Sequence, residues 1–300
     1  MSKKFYDDFI FELKYRPKKI SDLILPSQIK KQFLSIIKNK NIPNLLLSGQ
    51  QGIGKTTSAF CLCNELGINY NYINMSKNTG IDVIRNQTET FASTASIDGK
   101  KKVIIGDECD RLSQNALDAL KGVIEEFSNN CTFIFTSNHK YKIPGPIISR
   151  FQEIDFAVSK KEKIGMMKST LKRLVEISEI EKIEFDKKAL MILVKTFFPD
   201  IRKCLNELQK LSMQGAITEA SINENVVTDI EEFFKAIKDK DFTKTRTYVT
   251  NINDGKTFYT NIYNNLQAYI EFENISEAII LISKYMFESA FAVNPEITLM

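Results

Sequence analysis

In the first half of the chain, short apolar runs alternate with stretches of helical spacing. Asn44-Leu45-Leu46-Leu47-Ser48 reads as a strand, followed by a Gly-rich turn and a helix through about Leu66. Tyr70–Met75 predicts a second strand and Ile81–Ala92 a second helix. Lys102–Ile105 begins a third strand, Ser113–Phe127 is a helix N-capped by Ser113, and Cys131–Thr136 is a fourth strand. Strands alternating with helices predict a parallel sheet covered on both faces. After Phe156 the strands stop. From Lys160 the pattern is helical, with Ile164, Met167, Leu171 and Leu174 as an apolar stripe. Pro199-Asp200 opens another helix, carrying Ile201, Leu205, Leu208 and Leu211. A change near Val226–Ile230 starts a third region, with helices around Ile230–Ile237, Phe258–Phe272 and Ile275–Phe291.

Three domains are therefore expected, at residues 1–156, 157–225 and 226–300, in a chain of 300 residues. A 43% hydrophobic, 26% charged composition excludes fibrous and wholly disordered classes. The charged opening lacks the apolar run of a signal peptide, and no stretch approaches the length of a membrane span, so a cytoplasmic protein with no membrane partner is expected. Five cysteines, an odd number in a long chain, imply no disulfide framework. The net charge of +4 is too mild to announce nucleic acid, but residues 1–155 hold 21 basic against 16 acidic groups. A polyanion would be met by that half. Only seven arginines stand against 34 lysines, so each arginine position is a candidate for phosphate work.

The chemistry concentrates in Gly49-Gln50-Gln51-Gly52-Ile53-Gly54-Lys55-Thr56, which fits G-x-x-x-x-G-K-[ST] between a predicted strand and a predicted helix. Glycines there let backbone N–H groups close around phosphates at the positive end of the helix. Lys55 would reach the β- and γ-phosphates, and the Thr56 hydroxyl would bind Mg²⁺. About 50 residues later an apolar strand ends in Asp107-Glu108; Asp107 would hold Mg²⁺ through water, and Glu108 would polarise the attacking water.

Further segments follow in a telling order: Glu12-Leu13-Lys14-Tyr15-Arg16-Pro17, the phosphate loop, Gly80–Arg85, Phe91-Ala92-Ser93, Asp107-Glu108-Cys109-Asp110-Arg111, Thr136-Ser137-Asn138, Ser149-Arg150-Phe151 and Pro199–Lys203. This series resembles clamp-loader ATPase subunits of the AAA+ class, close to replication factor C small subunits and closer still to the large clamp-loader subunits of T4-like phages. The resemblance covers residues 10–215 well and the remainder weakly. It implies a P-loop α/β ATPase domain, a small helical lid and an all-helical collar. By position, Glu12, Leu13, Lys14, Tyr15 and Ile24 would line the adenine pocket beside Gly52, Ile53, Gly54, Lys55, Thr56 and Thr57 on the phosphates. Asn138 would be the polar sensor of the γ-phosphate and Arg202 the lid arginine. Arg150 would be the arginine finger entering the neighbouring subunit's site in trans. Thr79, Gly80, Ile81 and Arg85 would contact DNA from a helix facing a central channel.

The implied partners are a sliding clamp, primer–template DNA, and copies of this chain with a paralogous subunit in a five-subunit ring, using ATP and Mg²⁺. Two other readings compete. A branch-migration motor or helicase loader is disfavoured by the Ser149-Arg150 and Gly80–Arg85 segments, and a non-hydrolysing scaffold by the intact lysine and acidic pair. Gly106 departs from the family's aliphatic residue and is expected to weaken its strand. Phe151 departs from its cysteine, a change of packing rather than charge. The chain ends soon after Asn294-Pro295-Glu296-Ile297, where the phage subunits it resembles continue for a further helix.

Overall fold

The computed structural model of the protein describes residues 9–76, 81–94, 101–225, 230–250 and 258–289, the last range without 260, 261, 264, 265 and 268. Contacts group the chain into two compact units, Met1–Thr218 and Glu219–Met300.

The first unit is built on a parallel sheet of β1 (Leu45–Ser48), β2 (Tyr70–Asn74), β3 (Lys102–Asp107), β4 (Cys131–Ser137) and β5 (Gln152–Asp155), in the order β2-β3-β4-β1-β5. β1 and β4 are buried along their whole length, as central strands of a sheet covered on both faces must be. Strand periodicity divides their side chains between two cores. Leu45 and Leu47 point with Ile105 into a layer closed by α2 (Ser27–Asn39) and α3 (Lys55–Leu66), where Phe33, Leu62 and Phe156 pack. Leu46, Ile104 and Phe133 point the other way, against α4 (Ile81–Ser93) and α5 (Gln114–Glu126) through Ile84, Leu117, Leu120 and Ile124. The Ser113 hydroxyl accepts the Ala116 N–H and caps α5, as its sequence indicated. Register pairs Leu47 with Thr136 and Asn74 with Asp107, so the carboxyl ends of the central strands share one edge of the sheet. That edge is where open α/β sheets place their ligands.

A short helix α1 (Phe11–Lys14) precedes the sheet, another, α6 (Gly145–Ile148), lies between β4 and β5, and α7 (Lys160–Ile180), α8 (Lys187–Phe197) and α9 (Ile201–Ser212) complete the first unit. Ser159, Asp186 and Asp200 cap these last three through side-chain oxygens.

The structure corrects the sequence reading in several places. β5 is a fifth strand, an edge with Ile154 as its one buried residue, so it carries no apolar run. The helices α2 and α8 were not read from the pattern. In α7 the expected stripe matches the buried face only in part: Leu174 is buried, Met167 and Leu171 are half-buried and Ile164 is 65% exposed, while Met166, Thr170, Ile177 and Ser178 complete the buried face. Thr170 and Ser178 donate their hydroxyls to the Met166 and Leu174 carbonyls one turn back. Satisfied in this way, two polar letters lie on the buried face and shift it by about one residue.

In the second unit, α10 (Glu219–Asn225), α11 (Ile230–Lys238), α12 (Phe242–Thr250) and α13 (Ile275–Ser289) are described, and Phe233, Val249 and Phe258 form a small core. α13 has no buried residue among those described; its Ile280 and Phe287 are each 68% exposed. The expected boundary at Val226 and the candidates Thr79 and Gly80 lie outside the described residues. No described helix is long and apolar enough to cross a membrane.

Gly106 is not a weak point of β3. A Cβ at this position would stand 2.3 Å from Met75 Cε and 2.7 Å from Phe135 Cδ1, so neighbouring side chains already fill the space of an aliphatic residue. The Phe135 ring is itself packed against Phe151, with centroids 4.9 Å apart. Gly106→Ala is therefore expected to lower the unfolding free energy by about 1–3 kcal/mol through overpacking, measured by urea titration. An unchanged or raised midpoint would show that the pocket can yield.

Candidate nucleotide-binding and catalytic site

The turn from β1 into α3 puts Gly52 (φ 71°) and Gly54 (φ 101°) in the left-handed region and starts the helix at Lys55. Gly52 is required for a second reason: a Cβ there would lie 1.7 Å from Asp200 Oδ1. The Ile201 N–H donates to the Gly52 carbonyl (3.2 Å), so the loop and the start of α9 touch backbone to backbone.

Lys55 is buried, and its ammonium donates to the Gly49 and Gln50 carbonyls (2.8 and 2.7 Å) and to Asn138 Oδ1 (2.8 Å). Burial pushes it down to about 8, against the opposing pull of Asp107. The ammonium thus occupies three acceptors of its own chain at the place where a phosphate would offer others.

Asp107 ends β3 at the same edge. Its Oδ1 accepts the Thr56 and Thr136 hydroxyls, each at 2.6 Å, and its Oδ2 accepts the Tyr72 hydroxyl at 3.0 Å. Burial first, and then the Asp107 charge, push the Tyr72 phenol up to about 12. Thr136 Oγ1 also accepts the Glu108 N–H (3.0 Å), which holds Glu108 in the left-handed region at φ 56°. A non-glycine residue there is uncommon, and such conformations cluster at functional sites. The buried Asp110 accepts the Asn138 N–H on Oδ1 (3.0 Å), while its Oδ2 has no partner among the described groups.

These groups surround one cavity, which Glu12, Tyr15, Ile24, Gly52, Ile53, Gly54, Lys55, Thr56, Thr57, Asp107, Glu108, Asn138 and Arg202 all line. Leu13 and Lys14 do not line it; Lys14 turns to Glu181, which also accepts the Tyr15 hydroxyl. Arg202 pairs through Nε with Glu12 (2.7 Å). Arg150 lies elsewhere, bonded to Glu125 and to the Pro146 carbonyl of its own chain. Arg85 pairs with Glu126 (2.7 Å), and the backbone of Ile81 begins α4.

Sequence reasoning missed four contributors. Tyr72 had no motif, and Asp200 was read only as a helix opening, although burial raises its carboxyl beside Gly52. Arg173 lines the cavity and reaches the Tyr15 carbonyl (3.5 Å); the scarcity of arginine was its only signal. Asp110 follows the acidic pair with no local pattern that marks it as the acceptor of the Asn138 N–H.

The donor set suits the expected groups. Among the described residues no cluster of three or more His, Cys, Asp or Glu could cage a metal. A hydroxyl and a carboxylate oxygen side by side, as in Thr56 and Asp107, suit Mg²⁺, which binds through one or two carboxylates and completes its shell with water and phosphate. The glycine loop at a helix N-terminus suits phosphate oxygens.

Comparison with known proteins agrees. A family model described as ATPase family associated with various cellular activities matches residues 45–158, and one described as the AAA+ ATPase lid domain of the sliding-clamp-loader large subunit matches residues 162–222. The sliding-clamp-loader large subunits of Escherichia phage RB69 and Enterobacteria phage T4 are 37% and 38% identical over 246 residues, which is 80% of this chain and 76% of each relative. The replication factor C small subunit of Sulfolobus acidocaldarius is 36% identical over 72% of this chain and 66% of its own. A solved structure of the Thermotoga maritima RuvB Holliday junction branch migration motor superposes with a TM-score of 0.55 at 17% identity, over 74% of this chain and 78% of that one. At that identity the likeness concerns the fold alone. Matched across both its ATPase and lid segments and over four fifths of its length, the chain belongs to the clamp-loader ATPases of the AAA+ class.

Proposed function

We propose that this chain is a hydrolysing subunit of a clamp loader that binds ATP with Mg²⁺, assembles with a sliding clamp and primer–template DNA, and releases the closed clamp on DNA when ATP is hydrolysed. The supporting observation is the convergence of Lys55, Thr56, Asp107, Glu108, Asn138 and the lid's Arg202 on one cavity. In this reading residues 1–156 form the ATPase domain, 157–225 the lid and 226–300 the collar, in a five-subunit cytoplasmic ring with a paralogous subunit. The exposed apolar residues of α13 support assembly with other subunits.

Lys55 exchanges its carbonyl partners for phosphate oxygens, and Asn138, held by Asp110 through its backbone, stays beside the ammonium. Thr56, and Asp107 through water, would hold Mg²⁺, whose charge would offset that of the phosphates. Glu108 orients and polarises the attacking water from a backbone that Thr136 fixes. Arg150 does not line its own chain's cavity, which supports a role at a neighbour's site. Such a finger contributes about 10³–10⁵ in rate.

Lys55→Ala is expected to abolish nucleotide binding by calorimetry, whereas Glu108→Gln should retain ATP with little turnover. Arg150→Ala should bind ATP and fail to promote hydrolysis next door. Mixing Arg150→Ala with Glu108→Gln subunits should then restore ATPase where an intact Glu108 site meets an intact Arg150. Full ATPase in the pure Arg150→Ala assembly, or a dead mixture despite demonstrated subunit exchange, would remove the trans assignment.

The DNA assignment rests on Arg85, whose partner Glu126 is about half exposed, so phosphates can compete for it. Arg85→Ala should weaken DNA binding alike for all sequences and reduce the salt slope by about one phosphate contact. An unchanged slope of log affinity against log salt would return Arg85 to the solvated surface.

A further inference from the structure

One buried side chain joins the N-terminal segment to the lid. Gln209 of α9 accepts the Phe11 N–H on Oε1 (3.0 Å) and donates from Nε2 to the Phe9 carbonyl (2.8 Å). The two backbone partners set the amide's orientation, because one offers only a proton and the other only lone pairs. Phe11 is the first residue of α1, so its N–H is a donor that a helix start leaves without an intrahelical acceptor. Ile10, at the cap position, supplies no side-chain bond. Gln209 therefore caps α1 from 198 residues away. Its neighbours on α9, Leu205, Leu208 and Leu211, form an apolar face that another leucine would simply extend. A glutamine there is explained by the two backbone groups it satisfies.

The segment it holds carries Glu12 and Tyr15, which line the nucleotide cavity. The same segment meets the lid again through Glu12 with Arg202, through Lys14 and Tyr15 with Glu181, and through the Tyr15 carbonyl with Arg173. We infer that Gln209 is a positioning residue for nucleotide binding, which caps α1 from the lid and so holds the Glu12–Tyr15 wall of the cavity as part of the lid. This rests on the reading of that cavity as the nucleotide site. Gln209 touches none of the phosphate-end groups, so it acts alike on nucleotides that differ only at the γ-phosphate.

The test uses the full-length chain, titrated with ADP and with a non-hydrolysable ATP analogue, together with hydrogen exchange. Gln209→Leu removes both bonds at similar volume and is expected to weaken both nucleotides by the same factor, about tenfold. Exchange of the 9–15 segment should quicken while that of residues 55–66 stays as in the wild type, a pattern that general destabilisation would not produce. Gln209→Glu keeps an acceptor for Phe11 but sets a second oxygen against the Phe9 carbonyl, and should show a loss of the same kind, equal for the two nucleotides. Should the leucine variant not fold, this glutamate variant decides the matter. Unchanged affinity in a folded variant would overturn the inference, as would weakening of the ATP analogue without ADP, which would place the effect at the phosphate end. A wild-type chain that binds neither nucleotide would instead overturn the nucleotide-site reading itself.

Discussion

The carboxylate of Asp107 is where the site's geometry is settled. Three hydroxyls donate to it, from Thr56 at the start of α3, Thr136 near the end of β4 and Tyr72 on β2, so four elements are tied at one residue. The arrangement needs the parallel register, which brings Asn74 level with Asp107 and Leu47 level with Thr136. A one-residue slip would turn each side chain to the opposite face of the sheet. It also needs Gly106 one position earlier, where Met75 and Phe135 close over the strand and leave no volume for a side chain. A carboxylate so surrounded is oriented before any cation arrives.

From that anchor the site extends into the lid through the phosphate loop. The Gly52 carbonyl receives the first N–H of α9, and Asp200 stands where any Cβ on Gly52 would be. The loop and the lid thus meet backbone to backbone at Gly52, a contact that a side chain at position 52 would obstruct. Arg202 and Gln209 sit on the same helix, seven residues apart, and both engage the segment around α1. Contacts of this kind, made by packed backbone and buried polar groups, have few alternative arrangements. A change in lid angle would thus be felt at once by the loop and by the Glu12–Tyr15 wall.

Much of this was legible in the sequence because the signals are local. The phosphate loop combines glycine spacing with a strand before it and a helix after it, and the central strands each carry a short apolar run. What escaped reading depended on partners distant in the chain. β5 is an edge strand whose one buried residue leaves no pattern. The buried face of α7 includes Thr170 and Ser178, which count as polar until their hydroxyls are seen returning to their own helix. Tyr72 looks like an ordinary edge-strand aromatic, and only the register puts its hydroxyl on Asp107. Gln209 is a polar letter within an apolar helical stripe, and its meaning appears only with the backbone of Phe9 and Phe11 in place.

The two arginines proposed to act outside their own chain's cavity share a feature of placement. Arg150 and Arg85 are held by consecutive residues, Glu125 and Glu126, at the carboxyl end of α5. That end already carries the partial negative charge of unpaired carbonyls, so two carboxylates there raise the local negative potential and attract cations. The Arg150 side of the arrangement lowers the Glu125 pKa through its hydrogen bonds and charge. Both pairs face solvent, where ion pairs are individually weak and screened by salt. Weakness suits the proposed roles, because an arginine that must later meet a phosphate has to leave its carboxylate at little cost. A buried pair would resist, since removing one partner strands the other charge without water. The end of α5 thus keeps both guanidiniums oriented in the free chain and leaves them open to exchange for a stronger anion.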